Sequence, residues 1–249
     1  AVENARVELF NSSGTFVTST PTNGSGDYGF AGLIAGNYTL RVVNNTVAST
    51  RAGACAAGTC LPVQTWRTDA TSGAAVAVDD RVGGENPQLL DAGNGSTTLA
   101  ALTTATTTAQ SITAVTVGAS SITGLDFGYN FDTIVNTANT GQGSLRQFIT
   151  NANALGGDAS LAQAGFRTDL VSGGTVALAS GVEQSIFMIS DGAAHPGLRA
   201  GLASQLTSGV AVIPITSLLS NLSTAMRIEG GTQTYNVGNT NNATLGTGG

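Results

Sequence analysis

Apolar residues in this chain come in short bursts that alternate with Thr, Ser and Asn, and Gly or Asn closes most bursts. That pattern limits the fold more than any other feature. An alternating burst buries one face of a strand, whereas an amphipathic helix needs apolar positions three and four residues apart over a longer span. β-branched Thr and Val favour strands, and small polar residues and Gly weaken long helices. Gly makes up 34 of the 249 residues, about twice the usual share. An all-β chain with many turns is expected.

Charge is scarce. Charged residues make up 10% of the chain and the net charge is −6, against the roughly 25% charged residues usual in soluble domains. All nine basic residues are Arg, and Lys is absent. Scattered arginines do not make the clustered basic face that phosphate backbones require, so nucleic acid is not expected as a partner. A phosphate loop ending in Gly-Lys is ruled out by the missing Lys. No apolar run approaches the roughly 18 residues of a membrane span. Ala1 starts without a charged or apolar leader, as in a mature or cut chain.

Val7 and Leu9 alternate with Arg6 and Glu8, which predicts a half-buried strand within 1–10. Further strands are expected at Thr15–Thr20, Tyr28–Phe30 and Tyr38–Val43, near Ala74–Val78, at the end of 96–117, and as a closing strand in Ser120–Phe131. The pieces Val7-Glu8-Leu9-Phe10-Asn11, Gly26-Asp27-Tyr28-Gly29-Phe30-Ala31-Gly32-Leu33 and Ala35-Gly36-Asn37-Tyr38-Thr39-Leu40-Arg41-Val42 occur in that order. Over residues 5–43 the chain resembles the collagen-adhesin B-type and carboxypeptidase-regulatory-like modules, and Gly124–Asn130 is similar to their closing strand. The resemblance implies a prealbumin-like β-sandwich over 1–131, of the kind found in bacterial surface proteins. Such modules usually begin with one more strand. Its absence implies an unpaired edge beside residues 5–10, filled by a strand from elsewhere. The Lys–Asn isopeptide bond of many relatives cannot form without Lys. Their Asp-rich calcium loop is reduced to one carboxylate, Asp27, in Thr22–Asp27.

Residues 44–95 read as an elaborated loop region. Cys55 and Cys60 are too few for a closed zinc site and lack the two-residue gap of a redox pair. A loop-stapling disulfide is the reading, which implies an oxidising, extracellular setting. Asp79, Asp80, Glu85 and Asp91 could gather calcium; the plainer alternative is a solvated acidic loop.

Beyond Asp132 the pattern changes. Ile134–Thr137 reads as a strand. Ser144 can cap a helix whose apolar positions are Leu145, Phe148, Ile149, Ala152 and Leu155, predicting one short amphipathic helix over 144–155. Val135-Asn136-Thr137, then Gly141-Gln142-Gly143-Ser144-Leu145-Arg146-Gln147-Phe148-Ile149 and Ala152-Asn153, resembles the entry segment of right-handed parallel β-helix domains in bacterial exported proteins. The resemblance implies that 132–249 is the capped start of a β-helix and its first rungs. Strand-like bursts follow at Thr175–Leu178, Ser185–Ile189, Gly209–Ile213, Met226–Ile228 and Thr234–Val237, and Leu198, Leu202 and Leu206 could line a short helix. No terminal capping pattern closes the sequence, so an open edge over 234–249 and a longer parent protein are expected.

Catalytic signals are thin. Asp191 and His195 with a Ser would nominally make a triad, but there is no Gly-x-Ser-x-Gly elbow, and His195-Pro196-Gly197 reads as a turn. A β-helix polysaccharide lyase or hydrolase needs clustered acids. Residues 170–249 offer only Glu183, Asp191 and Glu229, so no enzyme is expected. The sequence therefore points to an extracellular bacterial structural or surface protein, joined to copies of itself by β-edge pairing. The alternative is an adhesin or carbohydrate-binding module for host or matrix glycans and proteins, in which Trp66 and the four tyrosines would carry the contacts.

Overall fold

The computed structural model describes residues 1–51, 55–169 and 171–238. In chain order the elements are β1 (Arg6–Asn11), β2 (Phe16–Pro21), β3 (Gly36–Val42), β4 (Val63–Asp69), β5 (Val76–Val78), β6 (Leu90–Asp91), β7 (Thr107–Thr108), β8 (Ser111–Val117), β9 (Phe127–Asn130) and β10 (Thr133–Ile134). Helix α1 (Leu145–Leu155) follows, then β11 (Phe166–Thr168), β12 (Thr175–Ala177), β13 (Glu183–Gln184), β14 (Ile186–Phe187), β15 (Met226–Arg227) and helix α2 (Gly231–Asn236). The chain is predominantly β, as its composition requires, but it carries a second short helix that the sequence pattern did not predict.

In the first half, an antiparallel sheet in the order β2-β1-β3-β8 faces a second antiparallel sheet in the order β5-β4-β9. Val7 and Leu9 of β1, Leu40 and Val42 of β3 and Val115 of β8 form the shared core, and Phe127 and Tyr129 of β9 pack against it. Each fully buried aliphatic side chain contributes roughly 1.5–3 kcal/mol. Tyr28 and Phe30 join this core from an irregular segment, edge to face at 6.3 Å, rather than from the expected strand.

Two expectations for β1 fail together. The strand is interior, paired with β2 on one side and β3 on the other, so the edge beside residues 5–10 is filled by this chain itself. The strand is also buried on both faces, because residues 91–95 lie over the face expected to meet solvent. The outer strand is β2, which Pro21 ends by removing a backbone donor.

The second half pairs β10 with β14 and β13 with β15 in parallel over very short lengths, while β11 and β12 pair antiparallel. Helix α1 covers them. Ser144 accepts the Gln147 N–H as its N-cap, and Phe148, Ile149 and Ala152 pack with Ile134, Phe187 and Ile189. Asn151, buried on the same helix, donates to the Leu61 and Phe131 carbonyls, tying the helix to the first half. Leu198 and Leu202 are buried with Val63, Val82, Val135, Met188 and Val237, but from an irregular segment. Gly197 and Gly201 in the left-handed region break the helix expected there.

Thr234–Val237 is not a strand either. Its residues belong to α2 and the turn after it, and α2 side chains occupy the edge of the β10–β14 pair. Thr232 Oγ1 accepts the Phe187 N–H (2.9 Å) and Gln233 Oε1 accepts the Ile189 N–H (2.8 Å). Gln233 Nε2 donates to the Ile189 carbonyl (2.7 Å) and Asn236 Nδ2 to the Phe187 carbonyl (3.1 Å). Polar side chains thus make bonds that another strand would have made. The remainder of the expected open edge, 239–249, lies outside the described residues.

Candidate functional site

The most unusual chemistry lies where the two halves meet. Asp132 sits between β9 and β10, and Glu183 opens β13. Both are almost completely buried, at 2% and 1% exposure. Arg51, from the loop before the disulfide, reaches both: its Nη2 pairs with Glu183 Oε1, and its Nη1 lies 3.2 Å from Glu183 Oε2 and 3.6 Å from Asp132 Oδ2. Gln163 donates to Asp132 Oδ2 at 2.5 Å, while Asp132 Oδ1 is buried with no partner among the described residues. A cavity of about 410 Å³ opens beside this cluster, lined by Arg51, Tyr129, Asp132, Gln163, Phe166 and Met188 among others.

One guanidinium cannot neutralise two buried carboxylates. Burial first, and then the charge of Glu183 beside it, push the Asp132 carboxyl up to about 8, so Asp132 holds its proton at neutral pH.

The calcium candidates do not converge. Asp91 is buried and meets Arg41 Nη2 at 3.1 Å; burial pushes its carboxyl up, and Arg41 opposes that shift. Its two oxygens also accept the Asn44 and Gln110 N–H groups. Glu85 lies between Arg67 (3.7 Å) and Arg81 (3.4 Å), and Asp80 pairs with Arg81 at 2.6 Å. Asp79 joins none of these contacts. Among the described residues no group of three or more acidic, His or Cys side chains is placed to hold a metal ion. Asp91 is a counter-ion in a structural network, which sequence spacing gave no means of seeing.

His195 and Asp191 do meet, Nε2 to Oδ1 at 2.8 Å. Burial works against the Asp191 carboxylate, but the Ala193 N–H and the His195 ring outweigh it and hold the carboxyl below its usual range. No Ser hydroxyl bonds to His195 among the described residues, and the Leu198 N–H closes a turn on the His195 carbonyl. Cys55 and Cys60 form the expected disulfide, buried against Leu155 of α1. Trp66, expected as an exposed aromatic, is 38% exposed on β4 and lies over Gly128 of β9, where a Cβ would overlap its indole.

The cluster of Arg51, Asp132 and Glu183 was not legible beforehand. In the sequence Glu183 is one of three acids within 170–249, and no motif links it to residues 51 and 132. Among the described residues no helix is long and apolar enough to cross a membrane. In comparison with known proteins, no family model matches this chain and no solved structure matches it.

Proposed function

We propose that this chain is an extracellular structural or surface protein of bacterial type that assembles with copies of itself through β-edge pairing. The observation that carries this reading is how its few charges are used. Glu8, Arg41, Asp91, Asp132 and Glu183 are all buried in ion pairs that tie together segments far apart in sequence. They work as staples, and the surface is left mainly to Thr, Ser, Asn, Gly and aliphatic side chains. A sparsely charged surface offers little repulsion between copies. The disulfide supports an oxidising compartment. The test is light scattering and electron microscopy of the oxidised chain across a wide concentration range. Growth of regular oligomers or filaments is expected; a monomer at every concentration would refute the reading.

A second reading is favoured by one observation, the cavity beside Asp132, Glu183 and Arg51. It makes the chain a polysaccharide hydrolase or lyase. Turnover of polyuronate or neutral glycan libraries that is lost in Asp132→Asn would support it, and turnover unaffected by that change would remove it. The burial of both carboxyls and their pairing with Arg51 favour the structural reading.

A further inference from the structure

The edge expected beside residues 5–10 is closed by the chain itself, because β1 is interior. At the other expected edge, Thr234–Val237 is not a strand, and α2 side chains occupy the edge of β14. A different segment offers backbone groups for pairing. From Ala200 to Met226 the chain has no charged residue. Within it, Val210–Ile213 lies outside the named strands and helices, and its side chains alternate in exposure. Ala211 and Ile213 pack on the cluster of Ile134, Phe148, Phe187 and Ile189, while Val212 points outward at 55% exposure. Val210 and Thr207 bond to each other in an isolated bridge. The N–H and C=O groups of Ala211, Val212 and Ile213 have no partner among the described residues. An apolar segment with alternating side chains and unpaired backbone groups can take on another strand.

The rest of the segment holds this template in place. Arg146 of α1 donates to the Ser217 and Leu218 carbonyls, at 2.7 and 2.5 Å. Asn139 Oδ1 accepts the Thr216 N–H at 3.2 Å, and Asn153 Oδ1 the Ser223 N–H at 2.9 Å. These bonds strap 216–223 across α1 and leave Ile215, Leu218 and Leu222 outward beside Val212. The strand is thus anchored at its far end and flanked by an apolar stripe.

We propose that Val210–Ile213 is the strand through which this protein pairs with the same strand of a second copy. The argument rests on the self-assembly reading above and names its surface. The absence of charge fits a second copy of this chain as the occupant. A copy of this chain carries a net charge of −6, but it can present 200–226 to 200–226 without placing any like charges face to face. Pro214 has no N–H and limits the ladder to the residues before it.

Sedimentation velocity on the full oxidised chain tests this, with three proteins: wild type, Val212→Lys, and Ile34→Lys as a control on an apolar residue 80% exposed elsewhere. Far-UV circular dichroism and thermal melting check that each monomer is folded; Val212 and Ile34 lie outside the buried core, so both variants should pass. Wild type is expected to dimerise with concentration, V212K to weaken dimerisation at least about ten-fold, and I34K to change it by less than about two-fold. If wild type associates and V212K associates equally well, this strand is wrong while self-assembly through another surface stands. If wild type is monomeric throughout, both readings fall.

Discussion

Glu8 and Arg41 lie directly opposite each other on β1 and β3, both completely buried, with Arg41 Nη1 donating to Glu8 Oε2 at 2.9 Å. Further bonds surround the pair. Glu8 Oε1 accepts the Gly95 N–H (2.6 Å) and Arg6 Nε (2.8 Å), and Arg41 donates to the Gly93 and Ala92 carbonyls and to Asp91. The pair fastens residues 91–95 onto the outer face of the first sheet, which is why β1 is covered on both sides.

Removing one partner strands the others. Arg41→Ala leaves Glu8 and Asp91 as buried carboxylates without their cation and should destabilise the fold by about 3–5 kcal/mol. Combining Glu8→Leu with Arg41→Met should recover part of that loss, because the desolvated charges of the pair leave together. Urea unfolding of the single and double variants measures both effects.

Gly95 and Gly93 make a contrast within the same segment. A Cβ on Gly95 would lie 2.7 Å from Glu8 Oε2 and 2.8 Å from Phe10 Cζ, whereas one on Gly93 would meet nothing within 4 Å. Gly95→Ala should cost about 1–3 kcal/mol and Gly93→Ala less than about 0.5 kcal/mol. Thermal denaturation of the two variants side by side reads the difference.

The proton held by Asp132 gives the fold a pH dependence of defined sign. The folded carboxyl of Asp132 titrates at about 8, above its ordinary value of 3.8. The folded chain therefore binds this proton more tightly than the unfolded chain. The stability it provides is complete below the unfolded value, declines as pH rises, and is lost above about 8. Melting temperatures of the wild type should fall between pH 5 and pH 9. Asp132→Asn should flatten that slope and melt a few degrees higher than wild type at pH 9.

Gln233 bonds both the N–H and the C=O of Ile189, a residue with no exposed surface. Gln233→Ala should cost about 1–3 kcal/mol, because two backbone groups lose their partner. It should also speed hydrogen exchange at the Ile189 amide, which mass spectrometry of peptides spanning 185–190 detects.

What the sequence made legible was local. Helix α1 could be read from Ser144 and the spacing of Phe148, Ile149, Ala152 and Leu155, and the structure places it at Leu145–Leu155. The disulfide followed from two cysteines with no other use. Strand β4 was hidden because two of its inward residues, Gln64 and Arg67, are polar and break the alternation. Glu8 read as solvent-facing because its cation is 33 residues away. Thr234–Val237 has the composition of a strand. It lies in and just after α2, whose Thr232, Gln233 and Asn236 bond the backbone of Phe187 and Ile189, a contact no local pattern encodes. The cluster of Arg51, Asp132 and Glu183 brings together three distant positions, and nothing near any of them marked it.

Hydrogen exchange of the oxidised chain at low and high protein concentration tests the pairing strand most directly. Amides of Ala211, Val212 and Ile213 should exchange quickly when dilute and become protected when concentrated, while those of β1 stay protected throughout. Fast exchange at 211–213 at every concentration, or concentration-dependent protection confined to β2, would contradict it.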